Sequence, residues 1–234
     1  MNSERRPARQ AGLIYLLLTI AGVFTLMAVP GRTIVDGDAT ATAARILGAE
    51  SLYRAGIAVG LLNSVVFLLL AVALYRLLVE VHASLAKLMV MLVLVQVPLV
   101  IGDSMNQLAA LLLVKGEPYL AVFDTAQKNA LAMLFLRIDS QGTIACQFFW
   151  GLWLVPLAIL VYRSGFLPRF LGVYLAINAF AYVALCAVGV CWPQHLTLAN
   201  SVSFPALMAE PVFTLWLLIM GAKPRHIATT AVHV

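Results

Sequence analysis

The stretch "AGIAVGLLNSVVFLLLAVALY" (Ala55–Tyr75) decides the fold, because it runs for 21 residues without a charged side chain. A helix rises about 1.5 Å per residue, so a helix of this length crosses the roughly 30 Å hydrocarbon layer of a bilayer. The whole chain has this character: 63% of its 234 residues are hydrophobic, 11% are charged, and the mean hydropathy is +0.98. These values lie outside the range of soluble globular proteins and predict an integral membrane protein.

Six stretches meet the same requirement of length and hydropathy. The predicted spans are residues 11–30, 53–77, 86–114, 139–163, 169–192 and 198–221, within a single integral membrane domain over residues 1–234. A further helical stretch, Tyr119–Arg137, carries several charged residues and is interpreted as an interfacial helix or an extension of the fourth span. We therefore expect an all-α protein, a six-transmembrane-helix bundle.

The distribution of charge predicts the orientation of the bundle. If the amino terminus lies in the cytoplasm, that side carries nine basic residues against Glu4 and Glu80, whereas the opposite side carries six basic and six acidic residues. Cytoplasmic loops of membrane proteins are enriched in Lys and Arg. Both termini are therefore expected in the cytoplasm, and the net charge of +5 reflects topology. No basic patch interleaved with aromatic residues indicates a nucleic-acid partner.

The loop after the first span, "GRTIVDGDATATAARILGAES" (Gly31–Ser51), contains its own helix signal. Asp38 stands at an N-cap position ahead of an alanine-rich run, which predicts a short helix on the outer surface. Two interpretations stay open: the helix is a connector that shields the bundle, or it is a lid over a pocket.

Two segments identify a family resemblance: "LYRAGIAVGLLNSVVFLLLAVALYRLL" (Leu52–Leu78) and "FWGLWLVPLAILVYRSGFLPRFLGVYLAINAFAYV" (Phe149–Val183). Together with the order of the spans, they resemble the bacterial membrane family known as domain of unknown function 4386. The resemblance implies a multi-pass protein of the bacterial inner membrane. It implies no reaction and no catalytic residues, so the function has to be inferred from the chain itself.

Polar residues form stripes on three of the predicted spans. In the third span, Gln96, Asp103 and Gln107 lie on one helical face with Asn106 beside them, and in the fourth span Asp139 and Gln147 are eight residues apart. In the sixth span Glu210 precedes Pro211, which frees a backbone carbonyl. Turning these faces inward predicts a polar recess open to the outer side. Its candidate ligand-binding residues are Arg54, Asp103, Asn106, Gln107, Asp139, Gln147 and Glu210.

An acid at the centre of a membrane helix costs about 2.5 to 3.5 kcal/mol, so Asp103 and Glu210 need compensation. Arg54 and Arg137 are the expected cationic partners. The alternative is that these polar residues only bind helices together, which is the preferred interpretation for Asn63 and Asn178. Gly56, Gly60 and Ser64 are likewise expected to form an internal helix seam.

These patterns predict a protein that binds a small amphipathic or lipid-like ligand, acting as a transport or accessory subunit with other membrane-complex subunits as possible partners. The alternative is an intramembrane enzyme that uses Asp103, Asp139 and Glu210 for acid–base chemistry. The four histidines lie at or beyond the predicted helix ends, so we expect no metal site and no cofactor such as haem.

Overall fold

The structure, a computed structural model, describes residues 5–223, and every regular element within this range is helical. The first helix, α1 (Arg5–Val23), continues through a π-helical turn (Phe24–Ala28) into α2 (Val29–Thr33). The remaining α-helices are α3 (Ala39–Gly48), α4 (Glu50–Leu78), α5 (Ala83–Leu94), α6 (Gln96–Lys115), α7 (Thr125–Arg163), α8 (Arg169–Cys191), α9 (Leu196–Leu207) and α10 (Ala209–Ile219). Short 3-10 turns lie at Pro118–Leu120 and Pro193–His195.

Six helical segments are long and apolar enough to cross a membrane, which confirms the number of spans predicted from the sequence. Spans 1 to 6 are Arg6–Thr33, Glu50–Leu78, Ala83–Lys115, Thr125–Arg163, Arg169–Cys191 and Pro193–Ile219. Because the spans alternate in direction, α3 and the loop 116–124 lie at one end of the bundle, which we call the loop end. The residues near both termini lie at the other end, which we call the terminus end.

The fourth span is longer than the sequence analysis assigned. The helix α7 runs unbroken for 39 residues, or roughly 58 Å, so residues 125–137 extend this span and do not form a separate interfacial helix. Asp124 begins the helix with a capping box, in which its carboxylate accepts from the Gln127 amide at 2.8 Å and the Gln127 side chain accepts from the Asp124 amide at 2.9 Å.

The predicted short helix after the first span is confirmed as α3. Asp38 caps it by accepting a hydrogen bond from the Ala41 amide at 2.8 Å. Thr42, Ala43 and Ile46 are buried, because α3 packs across α6 and α7 at the loop end. Ile46 belongs to an apolar cluster that also contains Tyr53.

The six spans pack as a ring in chain order, each against the next, and α10 returns to α1. Glycine permits the closest approaches. A Cβ atom on Gly12 would lie 2.7 Å from the Leu218 amide nitrogen, so spans 1 and 6 meet almost backbone to backbone. Gly56 packs against Val29 of span 1, so this glycine of the predicted seam lies at an internal contact.

Three spans are interrupted, and each interruption lies just before a proline. Proline lacks an amide hydrogen and cannot bond the carbonyl four residues earlier, which weakens the helix there, although α7 continues through Pro156. The prolines are Pro30, Pro98 and Pro211, and the corresponding interruptions are the π-helical turn (Phe24–Ala28), Val95 and Met208. The free backbone carbonyl predicted ahead of Pro211 thus lies next to an interruption of the helix at Met208.

The hydrophobic core is densest in the terminus half of the ring. Tyr15, Leu74, Leu157 and Phe213 have 0 to 1% of their surface exposed there and belong to one cluster that joins the spans. The smaller cluster under α3 lies at the loop end. Between the two clusters the spans enclose a cavity.

The glycine at position 151 tests the close packing of spans 4 and 5. A Cβ atom there would lie 2.6 Å from the Ala179 carbonyl oxygen, so Gly151→Ala should lower the melting temperature of the purified protein by an amount corresponding to about 1 to 3 kcal/mol. Gly102→Ala is the matched control, because a Cβ atom at this exposed helical position meets open space and alanine is a better helix former. Equal melting temperatures for the two variants would contradict the close helix contact.

Candidate functional site

A cavity of about 410 Å³ lies inside the helix ring. It runs along α7 from Asp139 to Trp153, a helical distance of roughly 21 Å, and is therefore a narrow slot. Most of its wall is apolar, with aromatic side chains such as Trp150 and Phe67 toward the terminus end. All three proline-linked interruptions contribute wall residues, namely Leu26, Gln96, Val97, Leu207 and Met208.

Two aspartates from neighbouring spans line the loop end of this cavity. Asp139 accepts hydrogen bonds from the Gln107 side-chain amide at 3.1 and 3.3 Å, one to each carboxylate oxygen. Tyr53 holds the same turn of α6 by donating to the Gln107 carbonyl oxygen at 3.0 Å. Asp103, one turn earlier on α6, also lines the cavity and interacts electrostatically with Asp139. The predicted side chains Asp103, Gln107 and Asp139 are thus brought together.

Gly142 makes this approach possible. An added Cβ atom at position 142 would collide with the Asp103 carboxylate, so that carboxylate lies directly against the backbone of α7, one turn from Asp139. The Asp103 carboxylate makes no hydrogen bond or ion pair to any protein group in the range 5–223. Its half-buried carboxylate therefore faces the cavity without a protein partner.

The third acid, Glu210, lies deeper in the ring, and its carboxylate has hydrogen-bond partners. Its carboxylate accepts a short hydrogen bond from the Tyr15 hydroxyl and a second from the Asn178 side-chain amide at 3.1 Å. Tyr182 interacts with the same carboxylate. Tyr15 and Asn178 are 1% and 0% exposed, so this is a buried polar cluster between spans 1, 5 and 6. Asn178, expected from the sequence to bind helices together, does so through Glu210.

Two amide side chains on the wall have an unsatisfied oxygen. Gln96 is only 3% exposed, and its amide nitrogen donates to the Leu92 carbonyl at 3.0 Å, but its amide oxygen has no partner. The side-chain oxygen of Asn63 is also buried without one. A buried polar atom without a hydrogen bond costs about 1 to 3 kcal/mol, so a ligand donor would be favourable at either position.

The expected cationic partners of the intramembrane acids are elsewhere, and this expectation was wrong. Arg54 bonds Glu50 on its own helix at 2.7 Å, and Arg137 bonds Asp36 at 3.3 Å. Three carboxyl groups line the cavity, while no lysine, arginine or histidine does so within the part of the chain that the structure describes. The cavity is therefore an acidic one.

Arg54, Asn106 and Gln147 do not lie on the cavity wall, although the sequence analysis placed them in the recess. The helical repeat gives the reason: at about 100° per residue, Gln147 points about 80° away from Asp139, while Cys146 is only about 20° away and does line the cavity. Asn106 is likewise about 100° from Gln107. The spacing of eight residues between Asp139 and Gln147 was too coarse a criterion for a shared face.

Sequence reasoning missed the tyrosines that surround Glu210 and the glycine that admits Asp103. Tyr15 stands in the middle of a span without charges, where a hydroxyl group needs a partner, and this was an available signal. Gly142 was a second signal, since glycine in a helix interior often marks a close approach. No pattern connected Tyr182 with Glu210 before the packing of spans 5 and 6 was known.

Within residues 5–223 no group of three or more His, Cys, Asp or Glu side chains is arranged to hold a metal ion. Cys146, Cys186 and Cys191 are free thiols. His82 caps α5 by accepting from the Leu85 amide at 3.3 Å. Of the other histidines, His226 and His233 lie outside the described residues.

Comparison with known proteins gives a family and no function. A family model described as a domain of unknown function, DUF4386, matches residues 10–221. No curated protein and no solved structure matches significantly.

The Tyr15 hydroxyl provides a test of the buried Glu210 cluster. Tyr15→Phe removes the donor and leaves a buried carboxylate oxygen with one partner fewer, so the free energy of unfolding should fall by about 1 to 3 kcal/mol. Tyr119→Phe is the control, because this side chain is 68% exposed and should not affect stability. Thermal unfolding in the same detergent measures both, and an unchanged melting temperature for Tyr15→Phe would rule out the bond to Glu210.

Proposed function

Since the chain belongs to the DUF4386 family, whose function is unknown, we propose its function from its own cavity: it is a multi-pass protein of the bacterial inner membrane that binds a small amphipathic or lipid-like molecule inside its helix ring. The site comprises Asp103, Gln107 and Asp139 near the loop end and Glu210 deeper in the ring. The cavity contains Asp103, Gln107, Asp139 and Glu210 of the residues predicted for the polar recess, and this supports the proposal.

The main support for this proposal is the volume of the cavity together with the character of the residues that line it. Small-molecule sites occupy about 300 to 1,000 Å³ and have mostly apolar walls with a few placed polar groups. The cavity has about 410 Å³, apolar and aromatic walls, and an acid pair at one end. A core that existed only for packing would fill this volume, because protein interiors are close-packed.

Both termini are proposed to face the cytoplasm, with α3 on the outer surface. The charges at the loop end support this orientation, because they pair with one another: Glu50 bonds Arg54 and Lys115, and Asp36 bonds Arg137. The bases near the terminus end exceed the acids there, in keeping with the enrichment of Lys and Arg in cytoplasmic loops.

A reporter fusion tests this orientation. Alkaline phosphatase inserted in the loop 116–124 should be active, since that enzyme folds only outside the cytoplasm, and a fusion in the loop 164–168 should be inactive. The reverse pattern would mean that the bundle is inserted the other way round.

As to role, an accessory or binding subunit is favoured over a transporter. Transporters are often built from repeated halves with broken helices in corresponding positions. Here spans 3 and 6 are both interrupted and occupy corresponding places in two halves of three spans, but the interrupted span 1 corresponds to span 4, which is one continuous helix, so the two halves do not form a repeat. Other membrane subunits are the proposed partners.

A second candidate function is acid–base catalysis, which the proximity of Asp103 and Asp139 favours. Two neighbouring carboxyl groups in one cavity can act as acid and base toward a bound substrate. Glu210 is less suited to this role, because Tyr15 and Asn178 already occupy its oxygens. Chemical change of a molecule bound in the cavity, lost in Asp139→Asn, would select this alternative.

Filling the cavity tests ligand binding. Gly60 lines the cavity, and a Cβ atom there meets only the Thr25 methyl group at 4.0 Å, so Gly60→Phe should place its ring in the slot. Small molecules that co-purify with the wild-type protein from native membranes, detected by mass spectrometry, should be lost from this variant. Gly102→Phe, at an exposed position with open space around it, should retain them. Equal retention by both variants would contradict binding in the cavity.

A further inference from the structure

We infer that the cavity selects a single-chain amphiphile with a positively charged amine head, which the carboxylates of Asp103 and Asp139 hold at the loop end. This inference rests on the proposed function and specifies its ligand class. It is carried by the lining of the cavity and by unsatisfied polar atoms on its wall.

The charge of the cavity requires a cation or a neutral molecule. Asp103 and Asp139 lie side by side, and like charges at close range in a medium of low dielectric constant repel strongly. No basic side chain on the described part of the wall relieves this repulsion. An ammonium group between the two carboxylates would do so, and its N–H groups would form charge-assisted hydrogen bonds with Asp103, whose carboxylate has no protein partner.

The amide groups on the wall support a donor-rich head group independently of the acids. Gln96 is 3% exposed and lines the same cavity two turns from Asp103, and its side-chain oxygen is an acceptor without a donor. The unsatisfied groups on this face of α6, the Asp103 carboxylate and the Gln96 amide oxygen about 10 Å along the helix, are thus both acceptors. A metal cation would need more ligands than this pair offers, since Ca²⁺ takes six to eight oxygens.

The remainder of the slot suits one alkyl chain. Below the aspartates most of the wall is apolar or aromatic, including Phe67, Trp150 and Trp153, and its polar groups include Gln96, Asn63 and Glu210. A phosphate group would find no basic residue there within the described chain. An amine on a hydrocarbon chain therefore fits better than the head group of an amine-bearing phospholipid.

The side of the ring between spans 1 and 6 gives such a molecule a route from the bilayer. At the loop end the π-helical turn packs on its neighbours in span 1 and on α4, whereas α9 packs mainly on α8, and neither segment contains a buried residue. Val23 and Leu26 line the cavity on one side of this gap and are 52% and 50% exposed, while Leu207 and Met208 line it on the other. An apolar chain can enter here without crossing the water-facing loop end.

Matched ligands of one chain length test the inference. Wild-type protein in phosphatidylcholine nanodiscs is titrated with dodecylamine, dodecanol or dodecanoate, with tryptophan fluorescence as the signal because Trp150 and Trp153 lie on the wall. The amine should bind about tenfold or more tightly than the alcohol, and the fatty acid more weakly than either. Asp103→Asn should reduce amine binding to the level of the alcohol and leave alcohol binding unchanged.

Two further variants keep the outcomes distinct. Gly142→Ala should act like Asp103→Asn, since the added methyl group displaces the Asp103 carboxylate while alanine favours the helix. Asn106→Ala, on α6 but off the cavity wall, should keep the amine preference.

The outcomes separate the inference from the proposed function. If all three amphiphiles bound equally and Gly60→Phe abolished their binding, the amine assignment would be overturned and the proposed function retained. Binding unaffected by Gly60→Phe would overturn the proposed function itself. If phosphatidylethanolamine in the nanodiscs competed with dodecylamine for the cavity, the assignment to an amine without a phosphate group would be overturned.

Discussion

Glu210 joins the two ends of the helix ring inside the membrane, and the remaining architecture depends on that junction. In a hydrocarbon environment an acid without partners is strongly unfavourable, so its carboxylate requires donors from other spans. Tyr15 supplies one from span 1 and Asn178 another from span 5. Gly12 lets span 1 approach span 6 closely enough for this bond to form. The ring is therefore closed by one polar cluster surrounded by apolar packing.

The interruptions of spans 1, 3 and 6 follow from the same requirement that polar groups be satisfied. Backbone groups freed by a proline are tolerated at membrane depth only where protein or a cavity surrounds them. All three interruptions border the cavity, and Gln96 directs its amide nitrogen to a backbone carbonyl beside one of them. Two of the three prolines, Pro30 and Pro211, are themselves part of the cavity wall. The apolar cluster of the terminus half keeps the ring together while the other half departs from regular geometry.

The sequence was sufficient to predict the spans but not the contacts between them. Hydropathy depends on each segment alone, so the six spans and the Asp38 cap of α3 could be predicted. Asp103, Gln107 and Asp139 could be expected together, because two of them share a helical face and all three need burial away from lipid. Their neighbours could not be predicted. Arg54 pairs within its own helix, and only the packing of spans 5 and 6 places Asn178 beside Glu210.

The arrangement of the spans in chain order bears on how the protein assembles during synthesis. Each span contacts the one made immediately before it, so most of the bundle can form step by step as the helices leave the insertion machinery. Contacts between residues distant in the chain are the slow ones, because a long loop must close first. Between spans, the contact of α1 with α10 is the most distant of these. Until span 6 is made, the nascent bundle is an open arc in which Tyr15 lacks its bond to Glu210, and the cavity is enclosed only once span 6 has packed against span 1.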